Sequence, residues 1–311
     1  MALPCKSEQG IRLVRESALG HDVTAFLVDR AARGLAQGTL EYYRKKLAYL
    51  QTCLESRGVC NVQDVTPDLL RRYLVDLSER LNPGGVHCCF RAMRSFLRWV
   101  WSEYDLPQPC PIVKVHAPHV PQELLAPLPL PDLKAMLSTC ERRTWAGDRD
   151  RALLLCLLDS GCRASEFVAL NVADDVNLST GSVIIRKGKG GKTRVVFLGA
   201  VARRELLRWL RFRGDAPGAL WVTSEGSRLT YGGLRQVVER RARRAGVPVP
   251  SLHSFRRAFA LTCLRSGMDV YSLQKLLGHA DLGVLRRYLA QTEQDLAAAH
   301  QAAGPVDHLL R

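Results

Sequence analysis

Eight prolines crowd into the 27 residues from Asp105 to Pro131. Proline fixes its own φ and lacks the amide donor that a helix interior or a central strand requires, so no regular element of ordinary length crosses this stretch. The chain is therefore expected to fold as two parts joined by a stiff, extended connection over 106–131. The length of 311 residues agrees, being long for one core and comfortable for two.

Both parts carry mainly helical periodicity. Behind an N-terminal extension of 1–20, a weaker helix near 22–33 leads into a stripe of Leu40, Tyr43, Leu47, Leu50 and Leu54, with Thr39 as its expected N-cap. Thr66-Pro67 opens a third helix with proline at its first position, and Val86, Phe90, Met93, Phe96, Leu97 and Val100 mark a fourth. After the prolines, helices are expected at Asp132–Cys140, Asp148–Asp159 and Ala164–Leu170. Two short β-type runs, Val183–Arg186 and Arg194–Leu198, then flank the tip Lys187-Gly188-Lys189-Gly190-Gly191-Lys192. A strand at Leu220–Val222 is expected to join them. Helices resume at Val201–Phe212, Tyr231–Ala245, Phe255–Ser266, Val270–Leu277, Gly283–Tyr288 and Glu293–His300. The predicted class is mostly α with a small antiparallel β-sheet.

Charge is lopsided. The formal +15 divides into +3 over 1–110 and +12 over 111–311. That is the footprint of a protein lying along a polyanion, with a merely solvated basic surface as the alternative. Arg44, Lys45 and Lys46 and the row Arg91, Arg94 and Arg98 are candidates to meet phosphates, or else solvated faces. The ten cysteines show no Cys-x-x-Cys and no repeated Cys/His spacing, so neither a disulfide framework nor a metal site is expected. The longest apolar run, Ala152–Leu158, is far too short to span a bilayer, and Met1 to Glu8 hold no segment of signal-peptide length. A cytoplasmic protein without a membrane partner is expected.

The glycine-lysine tip invites comparison with a phosphate-binding loop. Gly191-Lys192-Thr193 would require glycine at 186, where Arg186 stands, and a strand rather than a helix follows. What remains is a set of lysines on a hairpin tip, able to reach a groove or a reacting phosphate.

Further fragments occur in order: Gly161-Cys162-Arg163-Ala164-Ser165-Glu166, then His253-Ser254-Phe255-Arg256, then Leu276-Leu277-Gly278-His279, then Tyr288 nine residues on. Together with the lysine hairpin, these resemble the tyrosine recombinase (phage integrase) family over about 125 residues. The resemblance implies an N-terminal four-helix core-binding (SAM-like) domain at 21–105 and a catalytic domain at 132–290. It also implies a tail at 291–311 that docks on a neighbouring protomer or packs in cis. The family's chemistry breaks a phosphodiester without metal, ATP or cofactor. Arg163 and Arg256 would clamp the non-bridging oxygens, since a guanidinium fork matches phosphate and stays charged. Lys189 and His253 would move protons, His279 would hydrogen-bond the phosphate, and Tyr288 would form a 3′-phosphotyrosyl link. Glu166, one turn beyond Arg163, would orient the cations. Lys187 and Lys192 join Arg44, Lys45, Lys46, Arg91 and Arg94 as candidate DNA contacts.

The implied partner is double-stranded DNA held between two domains, with a homotetramer on paired sites and an accessory DNA-bending or directionality protein as further partners. Integration and a place on a mobile genetic element belong to the same expectation. The alternatives are a type IB topoisomerase relaxing supercoils as a monomer, and a non-catalytic DNA-binding regulator on the same fold. One departure stands out. Arg257 occupies a position where the family commonly carries histidine, which leaves the six reactive positions intact and raises a question about local packing.

Overall fold

A computed structural model describes residues 18–121, 126–186 and 193–278, with positions 297, 300 and 301. The chain divides into two compact units, Met1–Glu123 and Leu124–Arg311.

In the first unit four helices enclose one core: α1 (Ala18–Ala32), α2 (Gln37–Glu55), α3 (Pro67–Ser78) and α4 (Pro83–Glu103). The starts of α3 and α4 follow from sequence chemistry. Thr66 Oγ1 accepts the Leu69 N–H at 3.3 Å and Asn82 Oδ1 accepts the Gly85 N–H at 2.8 Å, each just before a proline at the first helical position. α2 departs from expectation. It begins at Gln37, with Ala36 rather than Thr39 at the cap position and no side-chain cap. Gly34, at φ 72°, reverses the chain straight after α1, and Leu35 N–H bonds back to the Arg30 carbonyl, so the next helix starts before Thr39 is reached. α4 lies at the centre, burying Phe90, Met93, Phe96, Leu97 and Val100. Within the proline-dense stretch, Pro111–Lys114 forms a 3-10 turn that sinks Ile112 and Val115 into this core.

The second unit is built on α6 (Trp145–Ser160), which follows α5 (Leu130–Ser138). The apolar run 152–158 explains its position: Ala152, Leu153, Leu154, Cys156 and Leu157 are all buried, so this helix needs neighbours on several sides. It finds them in α9 (Ala200–Arg213) and α11 (Leu252–Arg265). The short α7 (Ala164–Val168) and α8 (Val172–Asp175) come between α6 and a two-stranded antiparallel sheet, β1 (Ser182–Ile185) with β2 (Arg194–Phe197). Register pairs Val183 with Val196 and Ile185 with Arg194. α10 (Tyr231–Ala245) and α12 (Val270–Leu277) complete the described part of the unit.

Residues 220–222 do not join that sheet. They lie among isolated bridges instead, Asn171 with Ala219 and Val222 with Arg228. The cause is Trp221, wholly buried with its ring 4.9 Å from that of Phe167 on α7, which draws the segment under α7 and away from the β1–β2 edge. The helices expected at Gly283–Tyr288 and Glu293–His300 lie outside the described residues. Among the described residues no helix is long and apolar enough to cross a membrane.

Two buried carboxylates stabilise the second unit. Asp150, fully buried on α6, accepts from Arg149, Arg240 and Arg241, and Glu205 on α9 is ringed by Arg142, Arg151 and Arg208. Three cations around each anion offset the desolvation that a single partner would leave uncompensated.

Candidate active site

α6 ends at Gly161, whose φ of 57° is left-handed. A Cβ at this position would lie 2.2 Å from the Phe259 ring on α11, so glycine is needed both for the turn and for the close approach. The turn presents Arg163 at the start of α7. Glu166 then folds back on it: Oε2 accepts the Arg163 backbone N–H at 3.0 Å and Oε1 accepts the Arg163 guanidinium at 2.9 Å. The Arg163 side chain keeps 28 % exposure while that of Glu166 keeps 5 %. Cys162, between the motif residues, is no nucleophile, because burial pushes its thiol up to about 11.

A second arginine reaches the same carboxylate. Arg194, the first residue of β2, donates through Nη1 to Glu166 Oε1 at 3.1 Å and through Nη2 to Oε2 at 2.6 Å. Burial alone would raise the Glu166 pKa, but the hydrogen bonds and charge of Arg194, with the hydrogen bonds of Arg163, outweigh it and hold the group below its ordinary value. The Arg194 Nε also donates to the Leu276 carbonyl at 2.9 Å. Arg256 on α11, only 1 % exposed, donates through Nη1 to the Gly161 carbonyl at 3.0 Å and through Nη2 to the Leu277 carbonyl at 2.7 Å. Gly278, left-handed at φ 63°, caps α12 by giving its N–H to the Gln274 and Lys275 carbonyls. All four terminal carbonyls of α12 therefore have donors.

His253 is the second residue of α11, behind the N-cap Ser251. Partial burial, then the charges of Arg257, Arg256 and Arg163, lower its pKa from the ordinary 6.5. The positive end of the helix dipole acts in the same direction. The imidazole is thus neutral near pH 7 and able to accept a proton. The bond from Arg256 to the Gly161 carbonyl brings the segment of His253 and Arg256 beside that of Arg163, about 90 residues earlier in the chain. Arg257, the departure from the family pattern, is buried and structural here: its Nε donates to the Ala126 carbonyl at 3.0 Å and its Nη2 to Ser251 Oγ at 3.3 Å. It fastens the chain entering this unit to the cap of the helix that bears His253.

Lys187, Lys189, Lys192, His279 and Tyr288 lie outside the described residues. Tyr271, the other tyrosine near the motif, sits on α12 with 69 % exposure. In the first unit, Arg91 and Arg94 on α4 join Arg98 and, from α1, Arg30, with Arg33 just beyond it, around a cavity of about 480 Å³. Arg44, Lys45 and Lys46 occupy α2 and do not line it. Tyr42 and Tyr43 do, giving the cavity aromatic as well as cationic walls.

Two family descriptions match the chain: the phage integrase family over residues 128–295, and the phage integrase N-terminal SAM-like domain over residues 24–103. The first takes in Arg163, Arg194, His253 and Arg256 together. The chain belongs to the phage integrase family of tyrosine recombinases. Tyrosine recombinase XerC of Chromobacterium violaceum is 32% identical over 91% of this chain and 94% of its own length. Tyrosine recombinase XerD of Ralstonia nicotianae is 31% identical over 88% of this chain and 90% of its own. Solved structures share the fold at lower identity. XerH site-specific recombinase bound to a palindromic difH substrate aligns with a TM-score of 0.70 at 23% identity, covering 92% of this chain and 85% of that one. A lambda integrase tetramer bound to a Holliday junction aligns at 0.73 and 15% identity, covering 88% and 78%.

Within this tyrosine recombinase, Arg194 is the site residue that motif reading missed. Its signal lay in the strand alternation. Arg194 and Val196 share the inward face of β2, and a cation at an inward register position needs a buried anion.

Proposed function

We propose that this recombinase cuts and rejoins duplex DNA at specific sites through a covalent bond to Tyr288. The Tyr288 oxygen attacks the phosphorus, the bond to the 5′-oxygen breaks, and the strand is left as a 3′-phosphotyrosyl ester. His253, held neutral by burial and by its cationic neighbours, takes the tyrosine proton, and Lys189 protonates the departing 5′-oxygen. Arg163 and Arg256 balance charge on the non-bridging oxygens, with His279 as a further donor. The 5′-hydroxyl of a second strand then reverses the step, so bond energy is conserved and neither ATP nor metal is consumed.

The observation that carries this reading is that Arg256, three residues after His253 on α11, bonds the Gly161 carbonyl two residues before Arg163, each arginine being held by a carboxylate or by carbonyls. A full exchange joins two duplexes, so we take the working form to be a homotetramer on paired sites in the cytoplasm, with residues 291–311 docking on a neighbour. Arg91, Arg94 and the other arginines of the first unit's cavity would contact DNA phosphates, as would Arg44, Lys45, Lys46, Lys187 and Lys192. Integration on a mobile genetic element and help from a DNA-bending or directionality protein fit the same reading.

The test is a nicked suicide duplex whose cut strand diffuses away and traps the adduct. Tyr288→Phe should bind DNA within a few-fold of wild type and form no adduct. A wild-type chain that forms none overturns the proposal, and an adduct persisting on the variant moves the nucleophile, with Tyr271 the first suspect.

A further inference from the structure

Among the described residues, the hydrogen bonds that Arg163 donates come from its backbone N–H and one guanidinium nitrogen, and both go to Glu166. An arginine in that position faces a conflict. The carboxylate that orients it also neutralises it, and a neutralised guanidinium is a poor partner for a phosphodiester in its transition state. The structure contains a remedy. Glu166 is shared: each of its oxygens receives one bond from Arg163 and one from Arg194, and the Arg194 contact is the bidentate fork that makes the strongest carboxylate pair.

Arg194 is itself poorly placed to touch a substrate. Each of its three nitrogens donates within the protein, and its stem runs so close to Gly278 that a Cβ there would lie 2.8 Å from Cδ. The trio of Arg163, Arg194 and Glu166 carries a net charge of +1, whereas Arg163 with Glu166 alone would carry none. We infer that Arg194 is a positioning residue for strand cleavage. It neutralises Glu166 so that Arg163 keeps its charge for the phosphate, and it holds this pair against the last turn of α12. The inference rests on the proposed strand-transfer reading.

The experiment measures single-turnover cleavage of the suicide duplex beside duplex binding, for wild type, Arg194→Gln and the double variant Glu166→Gln with Arg194→Gln. Losing the balancing charge should slow cleavage roughly a hundredfold, the scale of one transition-state donor, while binding stays within a few-fold. Removing the Glu166 charge as well should restore at least about tenfold of the loss, because Arg163 is no longer neutralised. A merely structural arginine would give no such rescue. Double-variant cleavage no faster than that of Arg194→Gln overturns the inference, as does an Arg194→Gln chain that cuts at the wild-type rate. Should Arg194→Gln fail to melt cooperatively, Arg194→Lys supplies the comparison. It keeps the charge without the fork, so it should cut within roughly tenfold of wild type, and a lysine variant as slow as Arg163→Ala overturns the inference. Failure of the wild-type chain to form any adduct falls instead on the proposed function.

Discussion

Gly161→Ala is a single methyl group placed where two constraints coincide. The residue sits at φ 57°, and the new Cβ would meet three ring carbons of Phe259 at 2.2, 2.6 and 2.8 Å. The left-handed backbone costs an alanine about 1–2 kcal/mol. Forcing the Phe259 ring, or the helix that carries it, out of the way adds about 1–3 kcal/mol. The sum is about 2–5 kcal/mol. For a folding unit of this size each kcal/mol moves the melting temperature by roughly 2–4 °C, so the second unit should melt roughly 10 °C lower. Gly246, which caps α10 at φ 68° and has no atom within 4 Å of where a methyl would stand, isolates the backbone part. Gly246→Ala should therefore lose only about 1–2 kcal/mol. Scanning calorimetry of both variants, and of Gly161→Ala with Phe259→Leu, separates the two contributions, since shrinking the ring should return part of the steric loss. Equal melting of Gly161→Ala and Gly246→Ala would refute the close-approach argument. So would a double variant no more stable than Gly161→Ala.

Asp150→Asn should cost about 3–5 kcal/mol in denaturant titration, because it strands Arg149 and Arg241 at 8 % and 4 % side-chain exposure. Glu205→Gln should cost less, since Arg142 and Arg208 reach solvent at 46 % and 37 %, and the reverse order would refute the reasoning. The His253 ring should titrate below 6.5 by NMR, and Arg257→Met should move the midpoint upward by removing a neighbouring charge. As the folded value lies under the unfolded one, the unfolded chain takes up this proton first, so His253 lowers stability as pH falls through 6.5 and has no such effect above it. A midpoint at or above 6.5 would contradict the cationic setting. Lys189→Ala should slow cleavage of an ordinary phosphodiester far more than of one with a 5′-bridging sulfur, whose thiolate leaves without a proton. Equal losses on the two substrates would remove this lysine from the acid's role, with Lys192 next in line.

What the sequence disclosed was local chemistry. Gly161, Arg163 and Glu166 fall within six residues, and His253 and Arg256 within four, so their types and spacing could be read directly. Thr66 before Pro67 announced a helix start for the same reason, whereas the many-sided burial of the run 152–158 came to light only with α9 and α11 packed around it. Arg194 escaped because its partners lie 28 and 82 residues away, and only the fold brings β2 against α7 and the end of α12. Trp221 misled for a related reason: a β-type run was legible, but the ring under α7 that decides its pairing was not. Thr39 was a sound cap residue defeated by the turn at Gly34. Arg257 looked like a departure from the family pattern beside the reactive positions, and the structure uses it to tie Ala126 to the cap of α11.

The end of α12 has a mechanical consequence. Its terminal carbonyls are satisfied by Gly278, Arg194 and Arg256, all at or before position 278, so no later residue is needed to keep the helix from unwinding. That makes Gly278 a fixed post from which the reach of Tyr288 is measured. Tyr288 is ten positions further on, and ten residues at full stretch span at most ~33–36 Å. The Tyr288 backbone cannot be carried beyond that radius, toward its own copy or a neighbouring one, unless the cap of α12 gives way.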